Sequence, residues 1–242
     1  MPASVKKLTA AEGLALDSFS KKEAARVISG GQRHVHSAAE AKETADAKLV
    51  RDSLMENKVP TLSWEFSQYT EWQLTSSAAR QEAIDAIKAA CKITRRELSD
   101  KVSTVLEELL TNGIYHSYLS EAGVEKYPRK KPAELAPKEA LKIRFGADAQ
   151  GIYLSVTDQG GSFTFEHFRA AIERCYSEAA RQIESKDGGA GLGMYMVFEI
   201  ATYLKIETQP GKSTTISVWI PKSRDQNPQI FAFDYFEWRN PQ

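Results

Sequence analysis

Between Leu98 and Ile114 the chain carries one unbroken helical signal. Leu98, Val102, Val105, Leu106, Leu109, Leu110 and Ile114 recur three and four residues apart, the period of a helix with one buried face. Thr94 and Glu97 have the spacing of a capping box, so the helix is expected from about 95 to 118. Glu108 and Asn112 lie one turn apart on a face that borders the apolar stripe. A carboxylate placed there can position water or take a proton, and an amide oxygen is a hard ligand suited to magnesium. By itself the pair also fits a solvated helix face.

The rest of the composition narrows the class. Lys plus Arg balances Asp plus Glu, 32 against 32, so no global basic character asks for nucleic acid. No run approaches the roughly 18 apolar residues of a membrane span. The N-terminal Met1-Pro-Ala-Ser-Val-Lys-Lys7 lacks the apolar core of a secretion signal. Cys91 and Cys175 have no CxxC partner and read as reduced thiols of a cytoplasmic protein.

Three segments differ in texture. Residues 1–59 are rich in Ala, Lys and Glu, with capping boxes at Thr9/Glu12, Ser20/Glu23 and Ser37/Glu40. They read as a helical extension, with helices near 9–16, 20–29 and 38–57. His34 and His36 fall in the break after Gly30-Gly31, either as a polar loop or as a phospho-accepting or metal-binding pair. Residues 60–222 read as the main domain. Leu62, Trp64 and Phe66 alternate, as do Trp72 and Leu74; a helix carries Ala83, Ile84, Ile87 and Cys91; a loop fills 119–139. Leu141, Ile143 and Phe145, then Ile152, Leu154 and Val156, make a hairpin turning at 147–151. Residues 223–242 are a tail with five aromatic residues, too much apolar area to leave in water. It either packs back on the domain or meets a partner.

The second hairpin strand runs into Asp158-Gln-Gly-Gly-Ser162. A carboxylate at a strand end can accept from an exocyclic amine such as that of adenine; the fragment also fits an ordinary Asp/Gly turn. Phe165, Phe168, Ile172, Cys175, Tyr176, Ala179 and Ile183 mark an amphipathic helix over 164–186, flanked by glycines on both sides. It fits a lid that moves as a unit or a permanently docked helix. Asp187-Gly-Gly-Ala-Gly-Leu-Gly193 then opens a second helix, and glycine amides at a helix start can cradle phosphate. This loop is neither a Walker A sequence nor GxGxxG. A strand from Tyr203, a turn at Pro210-Gly211 and a last strand with Ile216, Val218 and Ile220 follow.

Taken in order, these motifs resemble the GHKL, or Bergerat-fold, ATPases over about residues 62–222. Glu108-x-x-x-Asn112 is similar to their N box, Asp158-x-Gly160 to their G1 box, Gly189-x-Gly191-Leu192-Gly193 to their G2 box, and Ser213-Thr214-Thr215 to their final Gly-Thr element. Within that superfamily the short domain resembles the anti-sigma-factor serine/threonine kinases of bacterial partner switching. Ser162 and Ser213 stand where many members carry glycine.

The resemblance implies an α/β, two-layer fold with a mixed, mostly antiparallel sheet covered by helices. It implies ATP and Mg2+ as cofactors. Glu108 would be the general base, Asn112 the magnesium ligand and Asp158 the acceptor for the adenine amine, with Gly160 giving the base room. Gly189, Gly191, Leu192 and Gly193 would wrap the phosphates, and Thr214 would support the adenine end. Lys186 would be a phosphate contact or a solvated lid lysine. The implied partners are a sigma factor or its antagonist, with no nucleic acid, no membrane and the option of a homodimer.

Overall fold

The computed structural model describes residues 69–120, 123–129, 131–176, 192–222 and 231–239, together with the strands at 10–19 and 34–37. Among these residues eight strands form one sheet. They are β1 (Ala10–Phe19), β2 (His34–Ser37), β3 (Thr70–Leu74), β4 (Leu141–Ala147), β5 (Gly151–Asp158), β6 (Tyr203–Gln209), β7 (Ser213–Pro221) and β8 (Phe231–Arg239). Their order is β2-β1-β8-β6-β7-β5-β4-β3. The five from β3 to β6 are antiparallel throughout, and β8 joins β6 in parallel. The expected α/β architecture with a mixed, mostly antiparallel sheet is therefore present.

Strand alternation decides which face is covered. Ile152, Leu154 and Val156 on β5 pair across with Ile220, Val218 and Ile216 on β7. All six are buried in the main core, so one face of the sheet is apolar over its length. Four helices contribute to the layer that covers it: α1 (Arg80–Ala90), α2 (Arg96–Thr111), α3 (Phe165–Tyr176) and α4 (Gly193–Ile200). The buried stripe of α2 is Leu98, Val102, Val105, Leu106, Leu109 and Leu110, the residues whose period marks it in the sequence. No helix among the described residues is long and apolar enough to cross a membrane.

Some expectations are corrected. The capping box at Thr94/Glu97 does not form: Arg95 is the N-cap and no side chain caps α2. Glu97 pairs instead with Lys101 at 2.9 Å. After Thr111 the helix widens into a π turn, Asn112–His116. Such turns shift side-chain direction and recur at functional sites. The helix expected near 9–16 is a strand. Leu14 pairs with Tyr235 and Leu16 with Phe233, so pairing with an aromatic strand overrides the Ala- and Glu-rich helical composition. His34 and His36 lie on β2, antiparallel to β1, and not in a loop. The helices expected at 20–29 and 38–57, and the alternation at Leu62–Phe66, lie outside the described residues.

The aromatic tail packs back. Phe233 and Tyr235 are buried on β8. Phe233 stacks on Phe168 at 5.0 Å between centroids, and Tyr235 meets Phe165 edge-on at 5.1 Å. This also fixes α3. Phe165, Phe168 and Ile172 are fully buried, each worth about 1.5–3 kcal/mol of burial. The first half of the segment read as a mobile lid is thus a docked helix. Residues 177–191 lie outside the described residues.

Candidate active site

The C-terminal end of α2, the ends of β5 and β7, and the start of α4 enclose a cavity of about 540 Å³. Glu108, Asn112, Asp158, Leu192, Gly193 and Thr214 all line it. Residues scattered over more than a hundred positions are brought together because α2 and α4 lie on the same face of the sheet that Asp158 and Thr214 terminate. Lys186, Gly189 and Gly191 lie outside the described residues.

At one end the sheet register does the positioning. Asp158 sits opposite Thr214 across β5 and β7. Both are buried, with 8 % and 1 % of their surface exposed. Asp158 Oδ1 accepts from the backbone N–H groups of Gly160 at 2.9 Å and Gly161 at 3.0 Å. The Thr214 backbone N–H and hydroxyl donate to the same carboxylate. Burial pushes the Asp158 carboxyl up to about 6, against the pull of those donors. A buried carboxylate fixed in this way presents an acceptor at one end of a cavity, which suits an exocyclic amine.

At Gly160 the fold itself requires a glycine. A Cβ there would lie 1.9 Å from the Ser117 carbonyl oxygen. The glycine therefore lets the β5 loop close on the end of the α2 extension. Gly161 has a φ of +62°, and a Cβ there would lie 2.4 Å from the Gln209 carbonyl. Ser162, where glycine was the usual residue, is well used: its hydroxyl donates to the His116 carbonyl at 2.6 Å. The departure knits the same two segments together and leaves the cavity open.

At the other end Glu108 meets the start of α4. A Cβ on Gly193 would lie 1.9 Å from Glu108 Oε2, so only glycine allows this approach. Burial raises the proton affinity of Glu108, the positive charge of Arg129 draws it back down, and Glu107 raises it further. Glu107 itself does not line the cavity; it lies 3.8 Å from Arg80. Asn112 lines the cavity one turn beyond Glu108. One amide oxygen beside a cavity fits magnesium, which keeps several waters and shares its shell with substrate phosphates.

The family comparison bears on this geometry directly. Residues 97–224 match the profile of the histidine kinase-, DNA gyrase B-, and HSP90-like ATPases, more than half of the chain. The chain belongs to that family. The matched stretch contains Glu108, Asn112, Asp158, Gly193 and Thr214, and an ATPase of this family uses ATP. Over 81 residues the chain is also 35 % identical to the phosphate regulon sensor protein PhoR of Pseudomonas aeruginosa. That stretch is 32 % of this chain and 18 % of the relative, so under a fifth of PhoR is represented.

Three residues of the cavity escaped the sequence reading: His116, Glu125 and Arg129, which also line it. His116 had a faint signal, since it lies one turn after Asn112. Glu125 and Arg129 come from the segment 119–139, whose prolines and charges mark a loop but not its direction.

Proposed function

We propose that this ATPase-family chain is an ATP-dependent protein serine/threonine kinase of the anti-sigma type, acting by partner switching. The observation that carries the proposal is the half-buried Glu108 carboxylate, with raised proton affinity, facing the cavity beside Gly193. In the reaction a partner hydroxyl oxygen attacks the terminal phosphorus of ATP. An oxygen–phosphorus bond forms, the bond to the departing ADP breaks, and the hydroxyl proton passes to Glu108. Magnesium supplies charge neutralisation between the phosphates, and Asn112 is the residue that would hold it. Asp158 and Thr214 hold the adenine, so the far end of the nucleotide falls beside Glu108.

The partners proposed are a sigma factor or its antagonist, in the cytoplasm, with the option of a homodimer. A second reading is favoured by the matched family, whose description includes histidine kinases: the chain is a histidine kinase. A third keeps nucleotide binding and drops catalysis, leaving a nucleotide-gated binding module. One experiment separates them. The protein is incubated with ATP labelled on the terminal phosphate and with candidate partner proteins, and the products are treated with acid. An acid-stable label on the partner is expected. A label lost in acid would mean phosphohistidine and would refute the serine/threonine proposal, and no label on any protein would favour the binding module.

A further inference from the structure

The loop from Ser117 to Glu139 is pinned at several points. The Tyr118 hydroxyl donates to the Glu139 carbonyl at 2.9 Å and accepts from the Gln159 backbone N–H at 3.1 Å. The Glu139 carboxylate is buried and accepts from Lys126 Nζ at 2.7 and 2.8 Å. The Tyr127 hydroxyl donates to it as well. A loop tied down in this way can hold a side chain at a fixed place over the cavity.

The charge at the cavity wall poses a problem that this loop answers. The acids among the described lining residues are Glu108, Glu125 and Asp158. A triphosphate brings several more negative charges. Among those same lining residues, Arg129 is the one permanently charged cation. It lies close enough to Glu108 to lower that group's proton affinity, and the His116 it meets is tied through its carbonyl to Ser162. Its guanidinium is also held. Arg129 Nη2 meets His116 Nε2, and His116 Nδ1 meets Glu125 Oε1. With its Nδ1 proton donated to the carboxylate, the imidazole has Nε2 free to accept from the guanidinium. The carboxylate thereby sets the tautomer, and the tautomer sets the direction of the arginine.

We propose that Arg129 is a phosphate-binding residue of the nucleotide site, supplied by the loop between α2 and β4 and aimed by the Glu125–His116 pair. The planar fork of a guanidinium suits a phosphate that carries two free oxygens, and the side chain lines the cavity while being exposed enough to swing toward a bound nucleotide. This rests on ATP binding in the cavity, so the test compares nucleotides.

Calorimetry with Mg-ATP and Mg-ADP is run on the full chain, Arg129→Ala, Arg129→Lys and Glu125→Ala, with Tm recorded for each. Loss of one charge-assisted contact is expected to weaken ATP binding roughly tenfold or more while ADP binding changes far less. Lysine should restore part of the loss, because it keeps the charge without the fork. Glu125→Ala should give a smaller, ATP-selective loss at unchanged Tm. Equal weakening of ATP and ADP in Arg129→Ala, or no change in either, would overturn the assignment. A wild-type chain that binds neither nucleotide would instead overturn the nucleotide reading, and this proposal with it.

Discussion

Replacing Asp158 by Asn separates the cost of the carboxylate proposed to hold adenine from its use. The carboxyl titrates at about 6 in the folded chain against an ordinary 3.8. That gap of roughly two pH units, at about 1.4 kcal/mol each, is a penalty of about 3 kcal/mol for keeping the buried group ionised. The sign follows from proton counts. Between the two values the folded chain binds more protons than the unfolded one, so stability falls as pH rises. The penalty is absent below pH 3.8, grows through pH 6 and is constant above it. Asn escapes it. Its oxygen still accepts from Gly160 and Gly161, while the Thr214 backbone N–H loses its acceptor, at about 1–3 kcal/mol.

The variant is therefore expected to match or exceed the wild type in stability at pH 8. Relative to the wild type it loses about 2.5 kcal/mol between pH 8 and pH 4, which leaves it the less stable of the two at pH 4. Binding moves the other way. The amide removes one charge-assisted acceptor and turns a donor toward the adenine amine, and together these cost about 3–5 kcal/mol, or at least a hundredfold in affinity. Denaturant unfolding at pH 4 and pH 8, with calorimetry at pH 8, measures both. A stability difference from wild type that is the same at both pH values would show that the carboxylate carries no burial penalty. Unchanged ATP affinity would remove Asp158 from the site.

Two further outcomes follow from the geometry. Glu108→Ala is expected to bind Mg-ATP like the wild type and to lose phosphotransfer by a hundredfold or more in single-turnover assays; wild-type turnover would rule Glu108 out as the base. Hydrogen exchange over Phe165–Tyr176 is expected to be slow with and without nucleotide, because Phe165, Phe168 and Ile172 are fully buried; fast exchange in the ligand-free chain would show that the helix opens as a unit.

Much of the site is written in local sequence pattern. The period of α2 fixes Glu108 and Asn112 on one face, and the alternation of β5 delivers Asp158 to the helix side of the sheet. Elements set by distant pairing are less legible. In β1 the alternation of Leu14 and Leu16 is short and embedded among Ala and Glu, and it becomes decisive only beside Tyr235 and Phe233 of β8. The tail showed its aromatic mass but not its place next to β6. Gly160 and Gly193 show as glycines in sequence, while what they make room for, the Ser117 carbonyl and the Glu108 carboxylate, is visible only in three dimensions. The Glu125–His116–Arg129 arrangement was hidden for the same reason: its members come from a helix end and a loop with no periodic relation.

The most direct test is to map Mg-ATP binding onto the chain by NMR, following backbone amide shifts during a titration. Binding in the cavity predicts the largest changes at Asn112, Gly160, Gly161, Gly193 and Thr214. Amides around a second hollow of about 100 Å³, lined by Tyr69, Arg144 and Glu207, should barely move. Shifts concentrated at that second hollow, or no shifts at saturating Mg-ATP, would contradict the assignment of the cavity between α2, α4 and the β5 end as the nucleotide site.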